Sequence, residues 1–496
     1  MCLVHIVVVW AVSTFMTPLI QLLKPAYGPL TFSLRTVSTA APLVVADIFG
    51  FVTAVYISVM VRYVFNGQFE PILYWSLWPL LGMVLFLYGL ARLYPAVGLS
   101  PVEELRRLAL TTTAFYFALA AVIFLFREGS TYSRGIFLMA WPLSLAGVWL
   151  SRILIRQLVA PCAWWGFPVL IMGAGRTGAL VIRTLRRQPG LGLKPVAVLD
   201  DDPQKQGSLE SVPVVGKLAV APFIARDRQI SYAIVAMPGV PRTKLLAILE
   251  RYGHTFPHLL VIPDLFGLAS LWVGATDMGG ILGLEIRQRL LLYGPRLTKM
   301  ILDCALTLLL GLFTLPLFLV IMVVVKLDSP GPIFYGHYRL GRRGRPFTAW
   351  KFRSMVVNAD TVLAKHLVEN RLLREEWERD RKLKSDPRST RVGRFLRRTS
   401  LDELPQLWNV LRGEMSLVGP RPIVDREIGQ YAEKYELYKR VHPGITGLWQ
   451  VSGRNDVTYA ERVNLDAYYV RNWSIWLDIY ILSRTIWVVL IGDGAY

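Results

Sequence analysis

Cysteine is scarce, with three in 496 residues, at Cys2, Cys162 and Cys304. They stand too far apart for a disulfide framework or a zinc site, and the redox compartment is not readable from them. Acid is scarce beside base, with 35 Asp and Glu against 55 Lys and Arg and a net charge of +20. That balance points to anionic partners: lipid headgroups, nucleotides or nucleic acid. No nucleic-acid-binding motif accompanies it, and the basic residues sit beside apolar segments, so nucleic acid is set aside. Residues 3–20 are apolar, but no basic n-region precedes them and no small-residue cleavage site is clear, so a secretory signal peptide is not supported. They read as a fifth span, an interfacial segment, or upstream sequence from a misassigned start.

What the chain has in quantity is apolar sequence, 53% of it hydrophobic, which fits a membrane protein. After an N-terminal lead, residues 1–42, four apolar runs within 43–158 approach the ~20 residues a bilayer span needs. They are Leu43–Val64, Leu73–Leu90, Leu108–Phe126 and Ile136–Ile155. Lys24 and Arg35 precede the first, Arg92, Arg106 and Arg107 separate the second and third, and Arg152 and Arg156 close the fourth. The other loops hold only Arg62 on one side and Arg127 and Arg134 on the other. The excess of base predicts a cytoplasmic N-terminal region, 92–107 loop and remainder of the chain after the fourth span.

Residues 165–265 change character. FPVLIMGAGRTGALVIRTLRR reads as strand, glycine turn and helix. Gly173, Gly175 and Gly178 form a GxGxxG, and Asp200 follows a second strand where an acid can meet a ribose. A Rossmann-like parallel sheet is expected here. The glycines serve either a nucleotide phosphate at the helix N-terminus or close packing alone.

A connector, 266–297, holds an alternating stretch, Gly283–Tyr293, that predicts a hairpin. Met300–Val325 is then almost wholly apolar, with Pro316 in its middle. Its length permits a full span. The charge argues otherwise, because Arg339, Arg342, Arg343, Arg345, Lys351 and Arg353 follow with no acid among residues 329–359. A helix broken at Pro316 (residues 298–326) is expected to enter the inner leaflet and turn back, leaving both flanks cytoplasmic. In the last region, 327–496, Val362–Lys382 reads as a charged, solvated helix. Glu427–Val441 reads as a helix at headgroup level through Tyr431, Tyr435 and Tyr438, a theme that Tyr468, Tyr469, Trp473 and Trp476 continue. A small aromatic core is the alternative.

The chemistry centres on SDPRSTRVGRFLRRTSLDELPQLWNVLRGEMSLVGPRP, residues 385–422. Asp402 and Glu403 lie there among Arg388, Arg391, Arg394, Arg397, Arg398, Arg412 and Arg421. Guanidinium forks match phosphate oxygens, and Mg²⁺ takes one or two carboxylates while substrate phosphates complete its shell. Phosphoryl transfer with Asp402 as nucleophile and Glu403 at the metal is one reading. The other is a capping box, with Ser400 as N-cap and Glu403 reaching back to it.

KLDSPGPIFYGHYRLGRRGRPFTAWKFRSM, TRVGRFLRRTSLDELPQLWNVLRGEMSLVGPRP and HPGITGLWQVSGRND closely resemble the monotopic bacterial polyprenyl-phosphate phosphoglycosyl transferases. The likeness runs from about residue 299 to the C-terminus. Four spans followed by a Rossmann-like domain match that family's large subgroup. The resemblance implies passage of a sugar-1-phosphate, galactose being expected first, from a UDP-sugar to undecaprenyl phosphate. The route would be ping-pong with Mg²⁺, opening surface polysaccharide assembly at the bacterial inner membrane, with a homodimer as the assembly. It assigns Asp402 as nucleophile, Glu403 as the metal-associated partner, and Arg397 and Arg421 to substrate phosphate. Arg454 of the SGR motif, Lys351 and Arg353 are further binding candidates. The family breaks its membrane helix at Ser-Pro. Here the pair is Leu315-Pro316, and Thr314 is the stand-in for the serine hydroxyl.

The expected architecture is thus a membrane protein of α plus α/β class. It comprises a four-helix transmembrane bundle, a Rossmann-like domain, and a mostly helical catalytic domain (327–496) anchored by a re-entrant helix. Two rivals stand against it. A membrane-bound nucleotide-sugar dehydratase or epimerase needs a Tyr-x-x-x-Lys in its Rossmann fold, yet Tyr435 and Lys439 lie beyond the second membrane segment. A non-enzymatic nucleotide-sensing scaffold would leave Asp402 as a cap, replaceable by Asn.

Overall fold

The computed structural model describes residues 31–66, 74, 78–125, 132–263, 273–277, 282–286, 290, 292–369, 374, 386–453 and 458–491. The chain divides into two compact units, Met1–Phe266 and Gly267–Tyr496.

The first unit opens with apolar helices: α1 (Thr31–Asn66), α2 (Pro79–Leu90), α3 (Pro101–Leu125) and α4 (Arg134–Val159). Three of them are long and apolar enough to cross a membrane. Boundaries differ from the sequence reading, and α3 begins seven residues before Leu108. Helix α1 begins twelve residues before Leu43 and runs through Pro42. Helix α2 spans only 12 residues, about 18 Å at 1.5 Å per residue, and the rest of the expected second span lies outside the described residues apart from Tyr74 and Trp78.

Helices α1 and α4 touch backbone to backbone where small residues meet. A Cβ built on Gly50 would stand 2.8 Å from the Gly147 carbonyl carbon and oxygen, the close approach that glycine permits between apolar helices.

Nearby lies a buried charge network. Arg152 of α4 grips Asp47 of α1 with Nε and Nη2, both at 2.7 Å, and donates to Glu104 of α3 at 2.7 Å. Arg156 joins Glu104 at 3.0 Å and donates to Gly190 O at 2.6 Å, tying the bundle to the turn before the second strand of the sheet. Two guanidiniums thus balance two carboxylates away from water. Replacing Arg152 by Ala leaves Asp47 and Glu104 short of their partner and is expected to cost about 3–5 kcal/mol. A melt of the detergent-purified protein checks it, as a large fall in the transition midpoint.

The bundle leads into a six-stranded sheet of order β3-β4-β2-β1-β5-β6. Its strands are β1 (Phe167–Met172), β2 (Leu193–Leu199), β3 (Gly207–Leu209), β4 (Val212–Val214), β5 (Tyr232–Val235) and β6 (His258–Val261). All neighbours pair parallel except β3 with β4. Strand β1 is apolar throughout because both its faces are covered. Leu170 and Met172 pack toward α6 (Ala221–Asp227) and α7 (Arg242–Tyr252), while Val169 and Ile171 pack toward α5 (Arg176–Arg187).

In the second unit, β7 (Val273–Asp277) and β8 (Leu282–Ile286) form an antiparallel hairpin. The connector's hairpin therefore sits earlier than Gly283–Tyr293. Helix α8 (Tyr293–Asp328) carries Pro316 inside a continuous run of 36 residues. Pro316 takes the donor from Leu312 O, and Thr314 Oγ1 donates instead to Leu310 O at 2.8 Å. Leu308, Leu312, Phe313, Leu315 and Val320 are exposed. Each end of α8 also has a packed side. Near its start Lys299 pairs with Asp478 at 2.8 Å, and Asp303 accepts from Ser416 at 2.7 Å. Near its close Ile321 and Val325 share a core with Phe352, Leu396, Leu401 and Leu404.

Helix α8 leads to the antiparallel pair β9 (Phe334–Leu340) and β10 (Pro346–Phe352). Then come α9 (Ala359–Glu369), α10 (Arg391–Arg398), a 3-10 turn over Leu401–Glu403, and α11 (Gln406–Leu411). Much of the expected Val362–Lys382 helix lies outside the described residues. The parallel pair β11 (Ser416–Val418) and β12 (Gly444–Thr446) follows, with α12 (Tyr459–Asn472) and α13 (Ile475–Ile491) after it.

The tyrosine helix expected over Glu427–Val441 is broken at Ala432, whose φ is 45°. Tyr431 and Tyr438 are buried with Leu340, Ile423 and Val463, so they build a core and do not lie among headgroups. Tyr469 and Trp473 are likewise buried, both donating to Asp478.

Candidate active site

The segment before the acid pair is set by α10. Thr390 caps it by accepting from Gly393 N at 2.9 Å. Val392 and Leu396 face the core that holds α8, leaving Arg394, Arg397 and Arg398 outward. The chain then reverses at Ser400, in the left-handed region at φ 57°.

This geometry dismantles the capping box. Ser400 makes no side-chain cap bond. The Glu403 carboxylate turns the other way and accepts from Lys351 Nζ at 2.5 Å. Lys351, on β10, also stands 3.9 Å from Asp402 Oδ2. Asp402 is 8% exposed. Burial pushes its carboxyl up to about 6; Glu403 adds to the push, and Lys351 and Arg397 oppose it. The result is a buried carboxylate beside one ammonium that it shares with a second carboxylate, the kind of perturbed group that clusters at functional sites.

Two further arginines face this corner. Arg421 stacks 5.8 Å from the Trp449 ring centre. Burial, with Arg462 beside it, lowers its pKa, while Glu403 lies near enough to raise it. Arg462 of α12 was not singled out by the sequence reading. It is 7% exposed and lies 4.8 Å from both Trp449 and Tyr459 ring centres. Its Nε and Nη2 have no hydrogen-bond partner among the described residues. Arg339, on β9, joins the group and stands 4.0 Å from Glu427. Buried guanidinium donors without acceptors call for an anion. The signal in the sequence is Tyr459, Arg462 and Asp466 at helical spacing on one face, following Trp449.

The other expected residues divide. Arg397 is exposed and donates to Ser389 Oγ at 3.4 Å. Arg353 departs from its expected role. Its guanidinium is buried and donates to Ser329 O at 2.5 Å and Pro330 O at 3.0 Å, which fixes the turn after α8. Arg454 lies outside the described residues.

For a divalent ion, the described residues gather no cluster of three or more His, Cys, Asp or Glu. Asp402 and Glu403 still fit Mg²⁺, which needs only one or two carboxylates when a phosphate substrate supplies the rest.

At the glycine turn of the first unit, a Cβ on Gly178 would stand 2.1 Å from Gly173 O, so that glycine is required by packing. Gly173 holds φ 111°, and Gly175 faces open space. Asp200 departs from the ribose-contacting role. Its two oxygens accept from Ala174 N at 2.7 Å and Asp202 N at 2.9 Å, and these bonds keep its pKa low against its burial. The acid stitches the turn to the end of β2.

Comparison with known proteins follows the same division. Residues 294–492 match the bacterial sugar transferase family, and residues 94–263 match a CoA-binding domain. The chain is 41% identical over 371 residues to the UDP-galactose-lipid carrier transferase of Erwinia amylovora, covering 73% of this chain and 76% of that protein. It is 38% identical over 370 residues to the undecaprenyl-phosphate galactose phosphotransferase of Salmonella typhimurium, covering 74% and 77%. It is 34% identical over 336 residues to the UDP-glucose:undecaprenyl-phosphate glucose-1-phosphate transferase of Escherichia coli, covering 66% and 68%.

Proposed function

Since the chain belongs to the bacterial sugar transferase family, we propose that Asp402 is the nucleophile that moves a sugar-1-phosphate from a UDP-sugar to undecaprenyl phosphate. The protein is a membrane-bound sugar-1-phosphate transferase that initiates polysaccharide synthesis, and galactose is the first sugar to test. The observation that carries the reading is the buried Asp402 carboxylate, which caps neither the 3-10 turn nor α11 and sits beside the Lys351–Glu403 pair.

In the first half-reaction an Asp402 oxygen attacks the sugar-bearing phosphorus of the UDP-sugar. The bond to the bridging oxygen breaks and UMP leaves with the electron pair. In the second, an oxygen of undecaprenyl phosphate attacks the same phosphorus. The acyl-phosphate bond breaks, Asp402 is restored, and undecaprenyl-diphosphate-sugar is released. Glu403, with Asp402 beside it, would hold Mg²⁺, which would supply neutralisation of the diphosphate charge. Lys351 holds Glu403 and keeps Asp402 ionised at neutral pH. Arg421 and Arg462 seat the substrate phosphates, and Arg397 guards the open side. Arg462→Met is expected to raise KM for the UDP-sugar about 10- to 100-fold with a smaller change in kcat, read from initial rates of UMP release.

Attachment at both ends supports a re-entrant α8. Lys299–Asp303 and Ile321–Val325 both bind the same unit, although a straight helix would set them about 27 Å apart. A crossing helix would carry one of them to the far side of the bilayer. The basic block after α8 argues the same way and favours the inner face of the bacterial inner membrane for both the catalytic region and the Rossmann-like domain. A homodimer is the expected assembly, read by mass in nanodiscs.

The test is UMP release from lipid-embedded protein given UDP-galactose and Mg²⁺, with and without undecaprenyl phosphate. Sustained UMP that requires the lipid supports the transferase. A stoichiometric burst without lipid supports the covalent intermediate. No UMP from any UDP-sugar would sink the reading.

A further inference from the structure

We infer that Asn409 is a positioning residue for this reaction: its carboxamide locks strand β10 to the helix that follows the acid pair, and so sets where the Lys351 ammonium stands. The inference rests on the roles given above to Asp402 and Glu403.

Asn409 is fully buried on α11, about two turns beyond Asp402. Its Oδ1 accepts from Trp350 N at 3.1 Å, and its Nδ2 donates to Thr348 O at 2.8 Å and to Glu414 Oε2 at 2.6 Å. Its own carbonyl accepts from Glu414 N and Met415 N. Among the described residues, strand β10 has a strand neighbour on one edge only, β9. Asn409 therefore supplies a donor and an acceptor of the kind a second strand would offer.

Placement is what gives this clamp a catalytic consequence. Lys351 directly follows Trp350, and its Nζ must reach Glu403 Oε1, at 2.5 Å, across from another segment. The chain from Asp402 to Asn409 is a single short stretch of 3-10 turn and helix, closed at Asn409 by the clamp. Fixing residues 348 and 350 to residue 409 fixes the distance from residue 351 to residues 402 and 403. A leucine would fill the volume and leave Trp350 N and Thr348 O without this partner. An aspartate would keep the acceptor for Trp350 N, lose both donors, and set a second carboxylate against Glu414.

The experiment uses the full chain in nanodiscs with UDP-galactose, Mg²⁺ and undecaprenyl phosphate. The parent, Asn409→Ala, Asn409→Asp, Lys351→Met and the Asn409→Ala/Lys351→Met double variant are compared for kcat and for kcat/KM. Asn409→Ala is expected to lose about 100-fold in kcat/KM, mostly in kcat, with KM for UDP-galactose little changed. Adding it to Lys351→Met should then cost little more, because both act through one ammonium. Asn409→Asp carries the same readouts if the alanine variant does not fold. Losses that add in full, a loss carried by KM, or failure of both substitutions to fold would overturn the inference and leave Asn409 a packing residue. An inactive parent would instead defeat the transferase reading itself.

Discussion

Asp402→Asn leaves UMP release at or below about one ten-thousandth of the parent rate, with the fold intact. The amide is close to isosteric, so the substitution removes a nucleophilic oxygen and little else. Stability should hold or rise. An acid whose folded pKa is raised by burial opposes folding once it is ionised, here above about pH 6, and a neutral amide lifts that cost. Rate assays beside a thermal melt read both effects. A variant as active as the parent would return Asp402 to a structural part.

Lys351→Met is expected to cut kcat/KM about 100- to 1,000-fold, the scale of removing one charged donor from a phosphoryl-transfer site. The pH profile makes the cause visible. Asp402 must be deprotonated to attack, so parent activity is lost as pH falls through about 6. Lys351 holds that pKa down and Glu403 pushes it up. Without the ammonium the acid limb moves to higher pH, and activity at a fixed neutral pH falls further than the lost charge alone would cause. A parallel drop at every pH would assign Lys351 to substrate binding and not to the carboxylates.

Much of the site was legible because its residues lie within a few positions of one another. Asp402, Glu403 and Arg421 share one motif, and Lys351 stands in a short strand-like run. Arg353 misled because it is two residues beyond Lys351, the spacing of one strand face. Strand β10 ends at Phe352, so the alternation stops there and the guanidinium turns to Ser329 and Pro330. Arg462 was missed for the opposite reason. Tyr459 lies one helical turn before it, but Trp449 comes from a separate segment, and only the folded chain brings that ring against the guanidinium. The tyrosines of 431–438 kept a helical period in sequence, yet the backbone breaks at Ala432 and turns two of them inward. In the first unit, Asp200 sat at the right distance from the glycines for a ribose. Local hydrogen bonding to Ala174 and Asp202 claims it first.

The core shared by α8 and the acid-bearing turn has a further consequence. Leu401 and Leu404 bracket Asp402 and Glu403, and they pack with Ile321 and Val325 of the membrane helix in one cluster. Anchor and acid-bearing turn thus share one core. How deeply α8 settles among the acyl chains therefore sets the altitude of Asp402 above the hydrocarbon. On the proposed mechanism this works as a depth gauge: a polyprenyl phosphate rides at a level fixed by its tail, and a side-chain jigsaw, not a flexible tether, would bring the Asp402 carboxylate to that level.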